Sequence, residues 1–342
     1  FRLMGSVANA SVLVAVYLGT RQVLDHTLSV GELVALVEYM ALLAWPTLSL
    51  GWMLSLWQRG RAAMSRLNEV MDRAPAIASG PQAPHGLVPH LELRDLSLHL
   101  GGRLVLDRVN LRIDAGRTVG IVGPIGAGKS LLIQALLRLM EVQPGQVFVG
   151  GHDVASLDLA TLRRTFGYVP QNHMLFSKTL AENVAFGRPE AAPEAIRAAV
   201  STAALTPDLA ALPQGLDTPV GERGITLSGG QKQRTAMARA LLVDPPILIL
   251  DDALSSVDAE TEAAILRNLR SERAGRTTLI VAHRPSAVRH ADFIVVMDAG
   301  KVIEQGSHAA LVRQGGAYAR LARRQELEAQ LEGATPAQAS PA

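Results

Sequence analysis

The stretch Gly123-Pro124-Ile125-Gly126-Ala127-Gly128-Lys129-Ser130 matches G-x-x-x-x-G-K-[ST] and constrains the fold of this 342-residue chain more than any other feature. Its flanks are those the pattern requires. Residues 118–122 form a short β-branched apolar run that predicts a buried strand, and residues 131–137 predict a helix with apolar positions on more than one face. Glycines at such a turn let successive backbone N–H groups close around phosphate oxygens, and the helix N-terminus adds partial positive charge. Lys129 is placed to reach the β- and γ-phosphates and the Ser130 hydroxyl to ligate Mg2+. The expectation is an α/β domain that binds Mg-nucleotide at the end of a parallel sheet.

The N-terminal quarter has a different character. Residues 3–18 carry no charged side chain, and residues 30–57 carry only Glu32 and Glu38. A spanning helix needs about 20 mostly apolar residues, so two spans are expected, at about 3–20 and 30–57, around a polar break. Trp57 suits an interfacial belt, and Arg59, Arg61, Arg66 and Arg73 follow it, which places this end in the cytoplasm and the break outside. Glu38 is a functional candidate because it is ionisable within a span; its closeness to the outer interface favours simple hydration or snorkelling instead. The opening at Phe1, inside an apolar segment, suggests that an N-terminal part is missing. Cysteine is absent, which excludes disulfides and Cys-based zinc sites. No block of like charge points to nucleic acid, and the net charge is only +2.

Four prolines and several small residues mark 73–90 as a linker. Residues 91–100 and 104–113 alternate apolar and polar positions around Gly101-Gly102, the pattern of a hairpin with one buried face. Short strands are expected at 147–149 and 166–169, helices across 192–211 and 235–242, and a closing hairpin from 293–297 and 301–304. Residues 247–250 are four apolar residues ending in Asp251-Asp252, and 277–282 end at His283; both read as buried parallel strands that deliver a polar side chain at their C-terminal ends. Asp251 is the expected Mg2+ partner. Residues 309–330 are expected to be helical and 333–342 a disordered tail.

Leu227-Ser228-Gly229-Gly230-Gln231, taken with the loop at 123–130, Gln171, Asp251 and His283 in that order, makes the chain resemble an ATP-binding cassette protein over residues 91–325. Two spans ahead of the cassette resemble the last membrane helices of an exporter half-transporter of the multidrug or lipid type. Val220-Gly221-Glu222-Arg223-Gly224 resembles the exporter loop that touches the membrane domain. The resemblance implies an α-helical membrane segment (1–72), a linker (73–90), an α/β P-loop NTPase cassette with an antiparallel β subdomain and a helical subdomain (91–325), and a C-terminal tail (326–342). It implies a multi-pass protein of the cell inner membrane with its cassette in the cytoplasm, acting on ATP with Mg2+. Two cassettes would pair head to tail. Ser228, Gly229, Gly230 and Gln231 would then grip ATP bound to the partner, Gln171 would approach Mg2+ and the attacking water, and His283 would contact the γ-phosphate. Ser256 and Asp258 would cross the dimer and couple the sites.

Two departures from the family pattern stand out. Members that hydrolyse ATP well usually carry Glu after the Mg2+ aspartate; here the residue is Asp252. The shorter side chain withdraws the carboxylate by about 1.5 Å, one C–C bond, and a misplacement on the order of 1 Å can cost about 100-fold in rate. The usual aromatic that stacks on adenine is Leu100, which offers no π-face. A weak base beside an intact signature resembles one partner of a heterodimeric exporter, which implies a second, different chain with the catalytic Glu. A homodimer using Asp252 as base and a mainly regulatory, nucleotide-held subunit stay open as alternatives. A soluble repair or translation cassette is disfavoured by the spans. The cargo is expected to be a small hydrophobic or amphipathic molecule, with no nucleic-acid partner.

Overall fold

A computed structural model gives the fold and describes residues 2–334. The chain divides into two compact units, Phe1–Pro75 and Ala76–Ala342.

In the first unit, α1 (Arg2–Leu24) and α2 (Val30–Met71) pack against each other across a short turn. A Cβ at Gly19 would lie 2.3 Å from Leu33 Cδ1, so the two helices approach where only a glycine fits. Ser29 and Glu32 form a capping box: Ser29 Oγ accepts from Glu32 N at 3.2 Å, and the Glu32 carboxylate accepts from Ser29 N at 2.8 Å. The first of the two charges in the apolar run is therefore the start signal of the helix. α2 is 42 residues long, about 63 Å at 1.5 Å per residue, roughly twice a bilayer's hydrocarbon thickness. The helix continues past Trp57 through Arg59, Arg61 and Arg66, because nothing in 58–71 stops it. Among the described residues α2 alone is long and apolar enough to cross a membrane; the apolar part of α1 is the shorter Ala10–Leu24. None of the residues of α2 is buried, and Leu42, Leu43, Trp45, Leu54 and Trp57 all stand exposed. Such a surface calls for lipid or further helices.

The second unit opens with a hairpin, β1 (Leu91–Leu100) and β2 (Arg103–Ile113), followed by β3 (Thr118–Val122) and α3 (Lys129–Leu136). Then come β4 (Val147–Val149), β5 (His152–Asp153), α4 (Leu159–Arg164), β6 (Phe166–Val169), α5 (Leu180–Val184), α6 (Pro193–Thr202) and α7 (Thr206–Leu209). α8 (Gly229–Leu242), β7 (Ile247–Asp251), α9 (Ala259–Glu272), β8 (Thr277–Ala282), β9 (Phe293–Asp298), β10 (Lys301–Gly306), α10 (His308–Gln314) and α11 (Ala317–Ala334) complete it. One antiparallel sheet has the order β2-β1-β4-β5; the other has the order β10-β9-β3-β8-β7-β6, parallel except for β10.

The all-apolar strands are apolar because both faces are covered. Ile247 and Ile249 enter the core shared with α3 and the antiparallel sheet, while Leu248 and Leu250 enter the core built from α6, α8 and α9. β8 divides in the same way, Leu279 and Val281 against Ile280 and Ala282. The order β3-β8-β7 places the C-terminal ends of three neighbouring strands side by side, with Val122 opposite Ala282 and Asp251 opposite Val281. Those ends lead into the glycine loop, His283 and Asp252.

Three expectations need correction. The helix expected at 235–242 begins at Gly229, because Ser228 and Gln231 form a capping box. The single helix expected at 309–330 is two: Gly315 takes a left-handed φ of 69° and ends α10. Glu304 accepts from the backbone N–H groups of Ala317 and Tyr318 and starts α11. α11 also carries residues 333 and 334, which had been assigned to the tail; residues 335–342 lie outside those described. Part of the linker expected at 73–90 is hydrogen-bonded to residues 156–158. Gly80 N donates to Leu157 O at 2.9 Å, Gln82 N to Ser156 O at 3.0 Å, and Asp158 N to Gln82 O at 2.7 Å.

Candidate nucleotide-binding site

The glycine loop leaves β3 with two backbone positions that a side chain would spoil. A Cβ at Gly123 would sit 2.1 Å from Met297 O. Gly126 has a φ of 81°, the left-handed backbone that favours glycine. Gly128, the N-cap of α3, offers no side-chain acceptor to the first-turn N–H groups. Those donors and the helix dipole are available to an anion.

Lys129 is only 5 % exposed. Its ammonium donates to Gly123 O at 2.7 Å and Pro124 O at 2.9 Å and lies 3.2 Å from His283 Nδ1. His283 accepts that contact when its proton is on Nε2, leaving an N–H to donate elsewhere. Burial pulls the Lys129 pKa down, and the carboxylates of Asp252 and Asp251 oppose that pull. The lysine is thus held ready at the loop by carbonyls that a phosphate can replace.

Asp251, 3 % exposed, accepts from Ser130 Oγ through Oδ1 and from the Tyr168 hydroxyl through Oδ2, each at 3.2 Å. Burial pushes its carboxyl up, with both hydrogen bonds pulling the other way. The Tyr168 phenol is also pushed up, by burial first and then by Asp251, and stays a donor. Among the described residues no three His, Cys, Asp or Glu side chains gather into a metal-binding group. Ser130 and Asp251 set a hydroxyl beside a carboxylate, and such a small oxygen donor set fits Mg2+, which takes few protein oxygens and completes its shell with water and phosphate. They do not fit a cation that needs an all-protein cage. Next along the chain, Asp252 takes a left-handed φ of 52°, and its Oδ2 accepts from Gln171 Nε2 at 3.2 Å. Lys129, the Ser130–Asp251 pair, Asp252, Gln171 and His283 thus converge on one edge of the sheet.

Residues 106–255 match the family model described as ABC transporter. They form an ABC transporter domain. The chain is 40 % identical over 334 residues to a probable multidrug resistance ABC transporter ATP-binding/permease protein, YheI, of Bacillus subtilis, covering 96 % of this chain and 56 % of that protein. It is 43 % identical over 296 residues to an ATP-dependent lipid A-core flippase of Pseudomonas fluorescens, covering 86 % of this chain and 49 % of the flippase. A bacterial Atm1-family ABC exporter solved with ATP bound superposes with a TM-score of 0.85 at 36 % identity, over 94 % of this chain and 57 % of the exporter. The chain spans about half the length of the curated relatives it matches.

Other expected residues make no hydrogen bond to the loop among the described residues. Ser228 N-caps α8, and among the described residues no hydrogen bond joins 228–231 to 123–130. Gln231 spends its side chain locally, accepting from Ser228 N at 3.0 Å and donating to Asp208 Oδ1 at 3.1 Å. Leu100 ends β1 opposite Arg103 and is half exposed. Asp258 caps α9 by accepting from Thr261 N at 2.9 Å. Four residues not singled out in the sequence brace the site or the segments that flank it. Tyr168 orients Asp251. Arg234 forks onto both Asp208 oxygens at 2.9 and 2.8 Å. Arg239 donates to Asn183 O at 2.8 Å and Met174 O at 2.9 Å, beside the stacked Phe176 and Phe186 rings. Gln233 reaches the Asp252 carbonyl at 3.0 Å. The one signal for Gln233 is a polar residue on the apolar helix face of Ala236, Met237 and Ala240, a face recognisable only once the true start of α8 is known.

Proposed function

We propose that this chain is the ATP-binding and ATP-hydrolysing subunit of a membrane exporter that moves a hydrophobic or amphipathic substrate out of the cytoplasm, and that its own ATP site is slow. Gly123, Pro124, Ile125, Gly126, Ala127, Gly128 and Lys129 would hold the phosphates through backbone N–H groups and one ammonium. Mg2+ held by Ser130 and Asp251 would neutralise charge that develops on the transferred phosphoryl group. Gln171 orients the Asp252 carboxylate, and His283, backed by Lys129, presents a donor at the same edge. Phosphoryl transfer depends on positioning, and a base must lie within about 2.6–3.2 Å of the proton it takes, directly or through one water. An aspartate where efficient relatives carry glutamate falls short of that reach.

The observation that carries the reading is the pairing of Asp252 with an intact, capped signature helix whose Ser228–Gln231 turn, among the described residues, makes no hydrogen bond to the chain's own loop. That combination supports a heterodimer: the partner, a different half-transporter with Glu after its Mg2+ aspartate, would bind the ATP that Ser228, Gly229 and Gly230 complete. The relatives named for multidrug resistance and lipid A-core flipping support an apolar or amphipathic cargo. The membrane helix supports a place in the bilayer, and Arg59, Arg61 and Arg66 after Trp57 support a cassette in the cytoplasm. Purifying the full-length chain alone tests the heterodimer. ATP turnover near background is expected; brisk, substrate-stimulated turnover by a homodimer overturns it.

One observation favours a second reading. Gln171 already holds the Asp252 carboxylate at 3.2 Å, which suits a homodimer whose aspartate still acts as base through one water, at reduced rate.

A further inference from the structure

α8 and the loop after β7 are fastened together by a single buried amide. Gln233 is 1 % exposed. Its Nε2 donates to Asp252 O at 3.0 Å and lies 3.4 Å from Ser255 Oγ, while its Oε1 accepts from Ser256 N at 3.1 Å. Ser255 Oγ donates to the same Asp252 carbonyl at 2.9 Å. The carbonyl thus receives two donors, and both ends of the amide are used. One turn earlier on α8, a Cβ at Gly230 would come within 3.0 Å of Ser256 O, so the signature glycine lies directly on this loop. Packing alone does not call for glutamine among Ala236, Met237 and Ala240, since a methionine fills similar volume without polar atoms to satisfy.

We propose that Gln233 is a positioning residue that locks the backbone of Asp252 and Ser256 to the signature helix, so that the chain's own ATP site and the site it completes on a partner move as one body. Fixing the Asp252 carbonyl fixes the peptide plane from which the carboxylate projects, at a residue already held in the left-handed region. Gln231 and Gln233 lie two residues apart on α8 and bond in different directions, one to Asp208 beside the signature and the other to the Asp252 loop. A shift of the signature onto a partner's nucleotide is therefore transmitted to Asp252 by one side chain. The inference rests on the reading above, in which Ser228–Gln231 serves a partner's ATP.

The test uses the full-length transporter with whatever partner it requires, in nanodiscs. Gln233→Met keeps the shape and removes both hydrogen-bonding ends. Gln233→Glu lacks a donor when ionised and regains one when protonated. The proposal expects Gln233→Met to bind ATP within about twofold of wild type, to lose about 10- to 100-fold in kcat with KM unchanged, and to lower the Hill coefficient for ATP towards 1. Gln233→Glu should show the same loss at neutral pH and recover as pH falls, relative to the wild-type profile, while Gln233→Met stays flat. A lower melting temperature with unchanged kcat, Hill coefficient and pH profile would mean that the amide is only structural and would overturn the proposal. If Gln233→Met does not fold, Ser255→Ala on the exposed loop removes the second donor to the same carbonyl. It should lower single-turnover hydrolysis at this chain's own site without altering ATP affinity, and an unchanged single-turnover rate counts against the proposal. Wild-type protein that turns over no ATP would defeat the functional reading itself; active wild type with an indifferent Gln233→Met defeats only this inference.

Discussion

Asp251 bears two opposed demands. As the proposed Mg2+ partner it would have to be ionised, yet burial raises its pKa and disfavours that charge in the nucleotide-free protein. The sign follows directly. A carboxyl whose folded pKa lies above its unfolded value adds stability that is fully present below the unfolded pKa and is lost as pH rises through the folded one. Wild type without nucleotide should therefore gain thermal stability on acidification through that window. Asp251→Asn, which keeps an oxygen for Ser130 or Tyr168, should melt higher than wild type at neutral pH and lose the dependence in that window, while Mg-dependent hydrolysis at this chain's own site disappears. Melting curves across pH without nucleotide check the first half, and a lower melting temperature for Asp251→Asn contradicts it. Lys129→Ala removes a charge-assisted contact of about 1.5–3 kcal/mol. It should weaken ATP binding about 10- to 150-fold, as a nucleotide titration would read.

At the scale of elements, α8 organises the cassette. Its first turn carries the signature, Gln233 holds the Asp252 loop, and Arg239 holds the segment that follows Gln171. Arg239→Ala deletes bonds to Met174 O, Asn183 O and Asn183 Oδ1 along with the contact to two aromatic rings. Faster amide exchange across 174–186, with β7 and β8 still protected, is the expected result; uniform protection would refute the anchoring role. Much of this architecture was legible before the fold was seen. The strand positions followed from apolar runs such as 247–250, and the site edge followed from what those runs end in: Gly123, Asp251 and His283. What escaped were features whose signal lies in pairing rather than period. The Ser228–Gln231 capping box lengthened α8, Gly315 cut a helix in two, and Gln233, Tyr168 and Arg239 are polar residues whose partners lie 19 to 83 positions away. Glu32 was visible as a charge and became a helix cap only through Ser29.

For the whole molecule, a slow own site beside a competent signature predicts an asymmetry between two substitutions in this one chain. Gly230→Val should drive a side chain into the Ser256 carbonyl and spoil the signature turn, abolishing turnover by the assembled transporter. Lys129→Ala should reduce that turnover without abolishing it, because the proposed heterodimer puts the faster chemistry at the partner's nucleotide. Equal loss from both would argue for two equivalent sites. The most direct test of the central claim is single-turnover hydrolysis at this chain's own site, with protein in excess over ATP, comparing wild type with Asp252→Glu. The account predicts that restoring the longer carboxylate raises the rate by up to about 100-fold with little change in ATP affinity; an unchanged rate would mean that Asp252 already serves as an effective base and that the site is not slow.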